Sequence, residues 1–259
     1  MDAESPTYAV YGRHFAAIYD ALFPRSLITS AEVRWLIGLL PPARERLIVE
    51  FGVGTGRVAL PIARAVREKS TRVIGVDISE EMLERLATED ESGLVTAISA
   101  DVTSERVIQG ADLVMCVCAT ISMITDPDKQ QATFSNAAET LKPGGVLVVE
   151  THNAELVCSM HIDGRATLAI PYPGERRVLV SFSELDFPIW RVDHCWIQGR
   201  SATFADEVSR LTSLEELDEY ARQAGLDSVG HFSGLSGAQF NESSATHTAV
   251  YRRPPSLID

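Results

Sequence analysis

The segment that most restricts the fold is Glu50-Phe51-Gly52-Val53-Gly54-Thr55-Gly56. A short continuous apolar run, Arg46–Phe51, leads into it, which is the pattern of a strand buried on both faces. Helical periodicity over 57–68 follows. Glycines where a strand hands over to a helix make a tight turn and let a ligand approach the backbone closely. The spacing here is G-x-G-x-G, whereas a dinucleotide fingerprint reads G-x-G-x-x-G, and Arg57 stands in the slot of that last glycine. An acid, Glu50, precedes the first glycine. Pyrophosphate prefers amide donors without a neighbouring carboxylate, so this loop suits a cationic ligand better than a dinucleotide.

The rhythm around the loop gives the fold class. Strands are expected at 46–51, 71–77, 94–100, 111–118 and 146–151. Helices at 57–68, 79–87 and 128–141 alternate with them, and Lys142-Pro143-Gly144-Gly145 reads as a turn. This alternation predicts an α/β fold with a parallel doubly wound sheet. From 155 to 210 the rhythm breaks into consecutive strand-like segments at 176–184, 189–198 and 201–210, with Pro188 and Gly199 between them. That is an antiparallel meander. A helix from Thr212-Ser213 to Gly225 and strands at 226–233 and 246–252 complete the sheet. Ahead of it, helical spacing of Phe15, Ile18, Tyr19 and Leu22 predicts a helix over 8–24, ended by Pro24. A second helix over 30–40 has Ser30 as N-cap and Pro41-Pro42 as stop. The expected division is a core of 1–154 and 211–259, including an N-terminal helical segment to about 41, and an inserted antiparallel lid of 155–210. An insertion at the strand carboxyl ends is placed to cover the ligand crevice.

Composition narrows the partners. Of 259 residues, 45% are hydrophobic, enough for a sizeable core, and the formal net charge is -13 without any run of Lys or Arg. Such a chain repels phosphate backbones, so nucleic acid is disfavoured as a partner. The four cysteines, Cys116, Cys118, Cys158 and Cys195, lack zinc-site spacing and read as small thiols of a reduced core, with no metal site expected. The N-terminal MDAESPTYAV has no secretory pattern, and no apolar run approaches the ~18 residues of a membrane span. A cytoplasmic location away from membranes is expected.

Several residues at the strand ends carry chemistry. Asp77, with Ile78 beside it, ends the second strand roughly 20 residues after the glycine loop, where an acid accepts both ribose hydroxyls of a nucleoside; the structural alternative is a strand-end cap for Ser79 or Glu80. Asp101, followed by Val102, ends the third strand and is placed to accept an adenine amino group, or to make an ordinary Asp turn. Met82 either packs on the adenine face or belongs to the helix core.

Taken together, E-x-G-x-G-x-G at Glu50–Gly56, the acid of VIGVD at Asp77, the acid of SAD at Asp101 and the L-K-P-G-G turn at Leu141–Gly145 resemble the class I S-adenosylmethionine-dependent methyltransferases. The resemblance spans about residues 45–152 and implies a Rossmann-like, seven-stranded sheet and S-adenosyl-L-methionine as cofactor. It further implies that Glu50, Gly52, Gly54 and Gly56 contact the methionine part, Asp77 the ribose, and Asp101 with Val102 the adenine, while Cys118 to Thr120 line the floor. The segment Tyr11-Gly-Arg-His14-Phe-Ala-Ala-Ile-Tyr19-Asp20 is similar to the F-A-x-x-Y-D segment of the deoxyamino-sugar N,N-dimethyltransferases and glycine methyltransferases, which also carry an antiparallel lid after the fifth strand. By that likeness Tyr11 or Tyr19 lies over the cofactor carboxylate and the reacting methyl.

A sulfonium is already a strong methyl donor, so the protein has chiefly to align the acceptor, exclude water and manage one proton. His152, which with Glu150 and Asn153 follows the fifth strand, is a candidate base, as are His194 in the lid and His14; each also has a structural reading. His161, His231 and His247 read as surface or strand residues, and Trp190 and Trp196 as an aromatic wall or as core. The resulting expectation is a small-molecule methyltransferase, with N-methylation favoured by the resemblance and C- or O-methylation of an aromatic, indole or hydroxyl acceptor as variants. A non-catalytic cofactor-binding regulator is the alternative of another class, and a homodimer is left open.

Overall fold

The computed structural model of the chain describes residues 19–67, 70–172 and 176–255. The first described elements are helix α1 (Tyr19–Leu22), a 3-10 turn at Arg25–Leu27 and helix α2 (Ser30–Gly38). Most of the helix expected over 8–24, with Tyr11 and His14, lies outside the described residues. The N-cap of α2 is Thr29 and not Ser30. Thr29 Oγ1 accepts from Glu32 N, and Glu32 accepts from Thr29 N, a reciprocal capping box.

Strands and helices then alternate as expected: β1 (Arg46–Phe51), α3 (Ala59–Val66), β2 (Thr71–Asp77), α4 (Glu80–Glu89), β3 (Val95–Ser99), β4 (Ala111–Cys116), α5 (Thr120–Met123), α6 (Pro127–Thr140) and β5 (Leu141–His152). The Lys142–Gly145 stretch, read from sequence as a turn, lies within β5. It opens with Leu141 paired to Ala111, shifts register before Leu113 pairs with Val146, and has Gly144 at φ 80°. A locally irregular strand start carries the same glycines and proline as a turn.

The insertion is larger than the three strands expected. Helix α7 (Ala154–Ser159) leads into β6 (Arg165–Tyr172), β7 (Arg177–Asp186), β8 (Ile189–Gln198) and β9 (Ser201–Arg210). These form a separate four-stranded sheet of hairpins in the order β6-β7-β8-β9. The chain then returns through α8 (Leu214–Gln223), β10 (Asp227–Ser233), β11 (Ala238–Gln239) and β12 (Thr246–Arg252).

The main sheet has the order β11-β10-β12-β5-β4-β1-β2-β3. It is the expected seven-stranded sheet with a two-residue edge strand added. β1 to β5 are mutually parallel, and β12 runs antiparallel beside β5. Helices cover both faces. On one, Val49 and Phe51 pack with Phe134 of α6 and Leu217 of α8; on the other, Ile48 packs with Leu36 of α2 and Leu60 and Ile62 of α3. The alternation along β1 explains the division, and each such side chain contributes roughly 1.5–3 kcal/mol by leaving water. The strand order reverses on either side of β1, which opens a crevice at the strand carboxyl ends. Among the described residues no helix is long and apolar enough to cross a membrane.

Candidate active site

A cavity of about 410 Å³ occupies this crevice. All five parallel strands contribute to it from their carboxyl ends: Gly52 and Gly54 after β1, Asp77 to Ser79 after β2, Ala100 to Thr103 after β3, Cys118 to Thr120 after β4, and Glu150 and His152 of β5.

The glycine loop explains itself position by position. Gly54, at φ +53°, has no described atom within 4 Å of where a Cβ would stand, because that direction opens on the cavity. Its N–H donates to Asp77 Oδ2 at 2.7 Å, while Ser79 N donates to Asp77 Oδ1 at 2.9 Å. Asp77 is therefore both the strand-end cap and part of the cavity wall. Burial raises its pKa, and the hydrogen bonds from Ser79, Gly54 and Ile78 work against that rise. At Gly52 a Cβ would lie 2.3 Å from Thr120 Cγ2, and at Gly56 it would lie 2.5 Å from Leu86 Cδ1. Gly56 thus serves the close packing of α3 and α4 and does not line the cavity.

Beyond Asp77 the wall is formed by Ile78, the buried Met82, Asp101 and Val102. Asp101 makes the Asp turn, accepting from Thr103 N at 2.9 Å, while still lining the cavity. Met82 also packs with Leu22, Leu179, Trp196 and Ala205, so it belongs to both wall and core.

The floor is a strained corner. Cys118 and Ala119 adopt φ 58° and 60°, a left-handed conformation uncommon outside glycine. Such strain persists where the surroundings over-determine it. Here the buried Glu150 does so: its Oε2 accepts from Cys118 N at 2.8 Å and its Oε1 from Thr246 Oγ1 at 3.0 Å. Burial pushes the Cys118 thiol up to about 12, so it stands neutral and is no nucleophile.

Arg57, noticed in the sequence only as a break in glycine spacing, reaches into the cavity. Its guanidinium lies 5.7 Å from the Tyr19 ring centroid and 5.4 Å from that of Phe23, within cation–π range. Tyr19 lines the cavity, and burial holds its hydroxyl protonated. Asp20 fastens α1 to the loop by accepting from Thr55 Oγ1 at 2.7 Å. Glu50 lies beneath the loop and does not line the cavity. Its Oε2 is buried with no hydrogen-bond partner among the described residues. Burial pushes this carboxyl up to about 8, against the pull of Arg57 and of the Ala59 N–H.

At the far end the inserted sheet closes over His152. Its Nε2 is buried without a hydrogen-bond partner among the described residues, and its ring meets Trp190 edge-on at 5.1 Å. Burial lowers the pKa of His152, and Glu207 opposes that shift. Glu207 of β9 lines the cavity, whereas His194 stands behind it, with Nε2 3.7 Å from Glu207 Oε2 and Nδ1 hydrogen-bonded to Ser181 Oγ at 2.9 Å. Asn153 is structural: it caps α7 and donates to the carbonyls of Glu242 and Ser244. Trp190 and Trp196 both face inward, Trp190 onto His152 and Trp196 onto Tyr172.

The structure thus brings Tyr19, Gly52, Gly54, Asp77, Ile78, Met82, Asp101, Val102, Cys118 and His152 to one cavity. Glu50, Gly56 and His194 sit one layer back. Sequence reading missed Glu207, although an acid at an inward position between Ala205 and Ser209 is a readable signal once the strand register is known.

Comparison with known proteins agrees with this geometry. A family profile described as a methyltransferase domain matches residues 48–145, the stretch from β1 into β5. The chain is 26% identical over 226 residues to dTDP-4-amino-2,3,4,6-tetradeoxy-D-glucose N,N-dimethyltransferase of Saccharopolyspora spinosa, covering 85% of this chain and 82% of that one. Among solved structures, the CcbJ methyltransferase of Streptomyces caelestis superposes with a TM-score of 0.82 at 25% identity, over 96% of this chain and 99% of that one. The fold is shared with CalS10, an amino pentose methyltransferase from Micromonospora echinaspora solved with S-adenosylmethionine bound, at a TM-score of 0.70 and 20% identity over 91% of this chain and 96% of that one. A methyltransferase domain thus spans residues 48–145, and the chain is an enzyme that uses S-adenosylmethionine as methyl donor. Its cavity fits that cofactor: the space beside Gly54 that a Cβ would fill admits the ligand, and the Asp77 carboxylate is held in the wall by backbone N–H groups.

Proposed function

We propose that the chain methylates a small-molecule amine, holding cofactor and acceptor together in the cavity at the strand carboxyl ends. The observation that carries this reading is that the cavity has two chemically different ends, one at Asp77 and Asp101, the other at His152 and Glu207. Asp77 would receive the ribose hydroxyls, Asp101 and Val102 the adenine edge, and Met82 and Ile78 the adenine faces. Arg57, over the Tyr19 and Phe23 rings, would receive the methionine carboxylate, and Glu50 beneath the glycine loop, whose Oε2 has no hydrogen-bond partner among the described residues, would face the methionine ammonium, whose positive charge favours the ionised carboxylate. The cofactor supplies an electrophilic methyl group on sulfonium. What this chain adds is alignment, a roof that excludes water, and His152 as proton acceptor, kept neutral by burial.

The same geometry supports a division into core and lid: the four-stranded sheet supplies Glu207 and places Trp190 over His152. The relative from Saccharopolyspora spinosa is named for an amino sugar, which supports nitrogen as the acceptor atom. The net charge of -13 supports a small acceptor over nucleic acid.

Thermal unfolding with S-adenosylmethionine, S-adenosylhomocysteine, NAD or buffer, followed by mass spectrometry of reactions with amine, phenol and indole panels, tests the reading. Stabilisation by the first two alone, with mass gain of one methyl on amines, is expected. Methyl gain confined to hydroxyl or ring-carbon acceptors would replace nitrogen with oxygen or carbon.

A further inference from the structure

We infer that Glu207 is the acceptor's recognition residue: a carboxylate built into the cavity to seat the acceptor as an ammonium cation, with His152 beside it to take the proton. The inference rests on the proposed reading of an amine acceptor and goes beyond it in naming the charge state that the site selects.

Three observations carry it. First, Glu207 faces the cavity from β9 on the inward side of the sheet, and its side chain is only 12% exposed. An acid so nearly buried needs compensation. Second, the compensation it has is fixed from behind. Ser209 Oγ donates to Oε1 at 2.9 Å, and His194 Nε2 stands 3.7 Å from Oε2 with its other ring nitrogen tied to Ser181. This chain of contacts orients the carboxylate without covering it, and an ionised carboxylate has about four lone-pair sites to fill. Third, the group that shares the cavity with it is His152, whose Nε2 is buried without a hydrogen-bond partner among the described residues and whose ring is held by Trp190. Burial alone would raise the pKa of Glu207; the hydrogen bonds it accepts from His194 and Ser209 work against burial, and the net shift is downward. The cavity therefore presents an anion and a neutral base side by side.

An amine at neutral pH arrives protonated and cannot act as a nucleophile until it loses a proton. Glu207 supplies the counter-charge that lets an ammonium enter a largely apolar space. The ammonium then gives its proton to His152 Nε2. The lone pair so freed forms the new N–C bond as the S–C bond breaks with its electrons left on sulfur. The methylated product departs as a cation, and His152 returns its proton to solvent. A neutral hydroxyl acceptor would offer Glu207 a hydrogen bond but no counter-charge, which sets the selectivity.

Sinefungin tests this on the full chain by calorimetry, because it carries a primary amine on carbon in the place of the S-methyl sulfonium. S-adenosylhomocysteine, which lacks that amine, is the reference. Wild-type protein is expected to prefer sinefungin, and Glu207→Gln to lose that preference by about tenfold while binding S-adenosylhomocysteine within twofold of wild type. An unchanged preference in Glu207→Gln would overturn the inference. Failure of wild type to bind either ligand would instead overturn the cofactor reading beneath it. Should Glu207→Gln not fold, wild type with S-adenosylhomocysteine bound decides the matter by saturation-transfer NMR: cyclohexylammonium is expected to bind and be displaced by sinefungin, with cyclohexanol silent. Equal binding of the two would sink the assignment.

Discussion

Asp77 ends β2, ties the glycine loop to the start of α4, and walls the cavity. Removing it should therefore be felt first in the ligand. Asp77→Ala is expected to weaken S-adenosylhomocysteine binding by about 1.5–3 kcal/mol, roughly ten- to a hundredfold in Kd, read by calorimetry. Gly54→Val places a branched side chain at φ +53° and fills the open space beside it. The strain is about 1–2 kcal/mol, so the variant should fold yet show no thermal shift with cofactor. Glu50 gives a pH signature. Its pKa is raised from 4.5 to about 8, so its contribution to stability is fully present below about 4.5 and is lost as pH rises towards 8. Against wild type, Glu50→Gln should be close to neutral at acid pH and relatively more stable by pH 8, as measured by denaturant titration at each pH. These residues were legible from sequence because their position follows from chain connectivity: each lies at or next to the end of a predicted strand. Glu207 was not, because its direction depends on the register of β9 against β8, which tertiary contacts decide.

At the level of elements, most core strands and helices could be read from periodicity, and the exceptions have physical causes. β6 was missed because nearly all its residues are exposed, so it has no inside-outside alternation, and Pro171 interrupts it. α5 and α7 have too few residues for a periodic signal. α7 shows how such a short helix is held in place. Asn153 accepts from Leu156 N and donates to two carbonyls of the loop before β12. Asn153→Ala should cost about 2–3 kcal/mol, the sum of a cap and two hydrogen bonds, with the loss seen in urea unfolding. Cofactor affinity of the surviving folded protein should change little, since Asn153 does not line the cavity.

For the whole molecule, the cavity couples every parallel strand to the ligand. Cofactor binding only to the folded chain adds RT ln(1 + [L]/Kd), about 2.7 kcal/mol at a hundredfold excess over Kd. That stabilisation should be present with S-adenosylmethionine or S-adenosylhomocysteine and absent with NAD in the same scan. The pairing of β5 with β12 has a separate consequence for how such a chain can change over evolutionary time. His152 and Thr246 are partners in one ladder, and the inserted four-stranded sheet lies in the chain between them, ahead of α8, β10 and β11. Closing a loop costs entropy only with the logarithm of its length, about 0.6 kcal/mol for each doubling. Lineages can therefore lengthen, shorten or rewrite the roof, and with it the choice of acceptor, while the ladder that anchors both its ends scarcely registers the change.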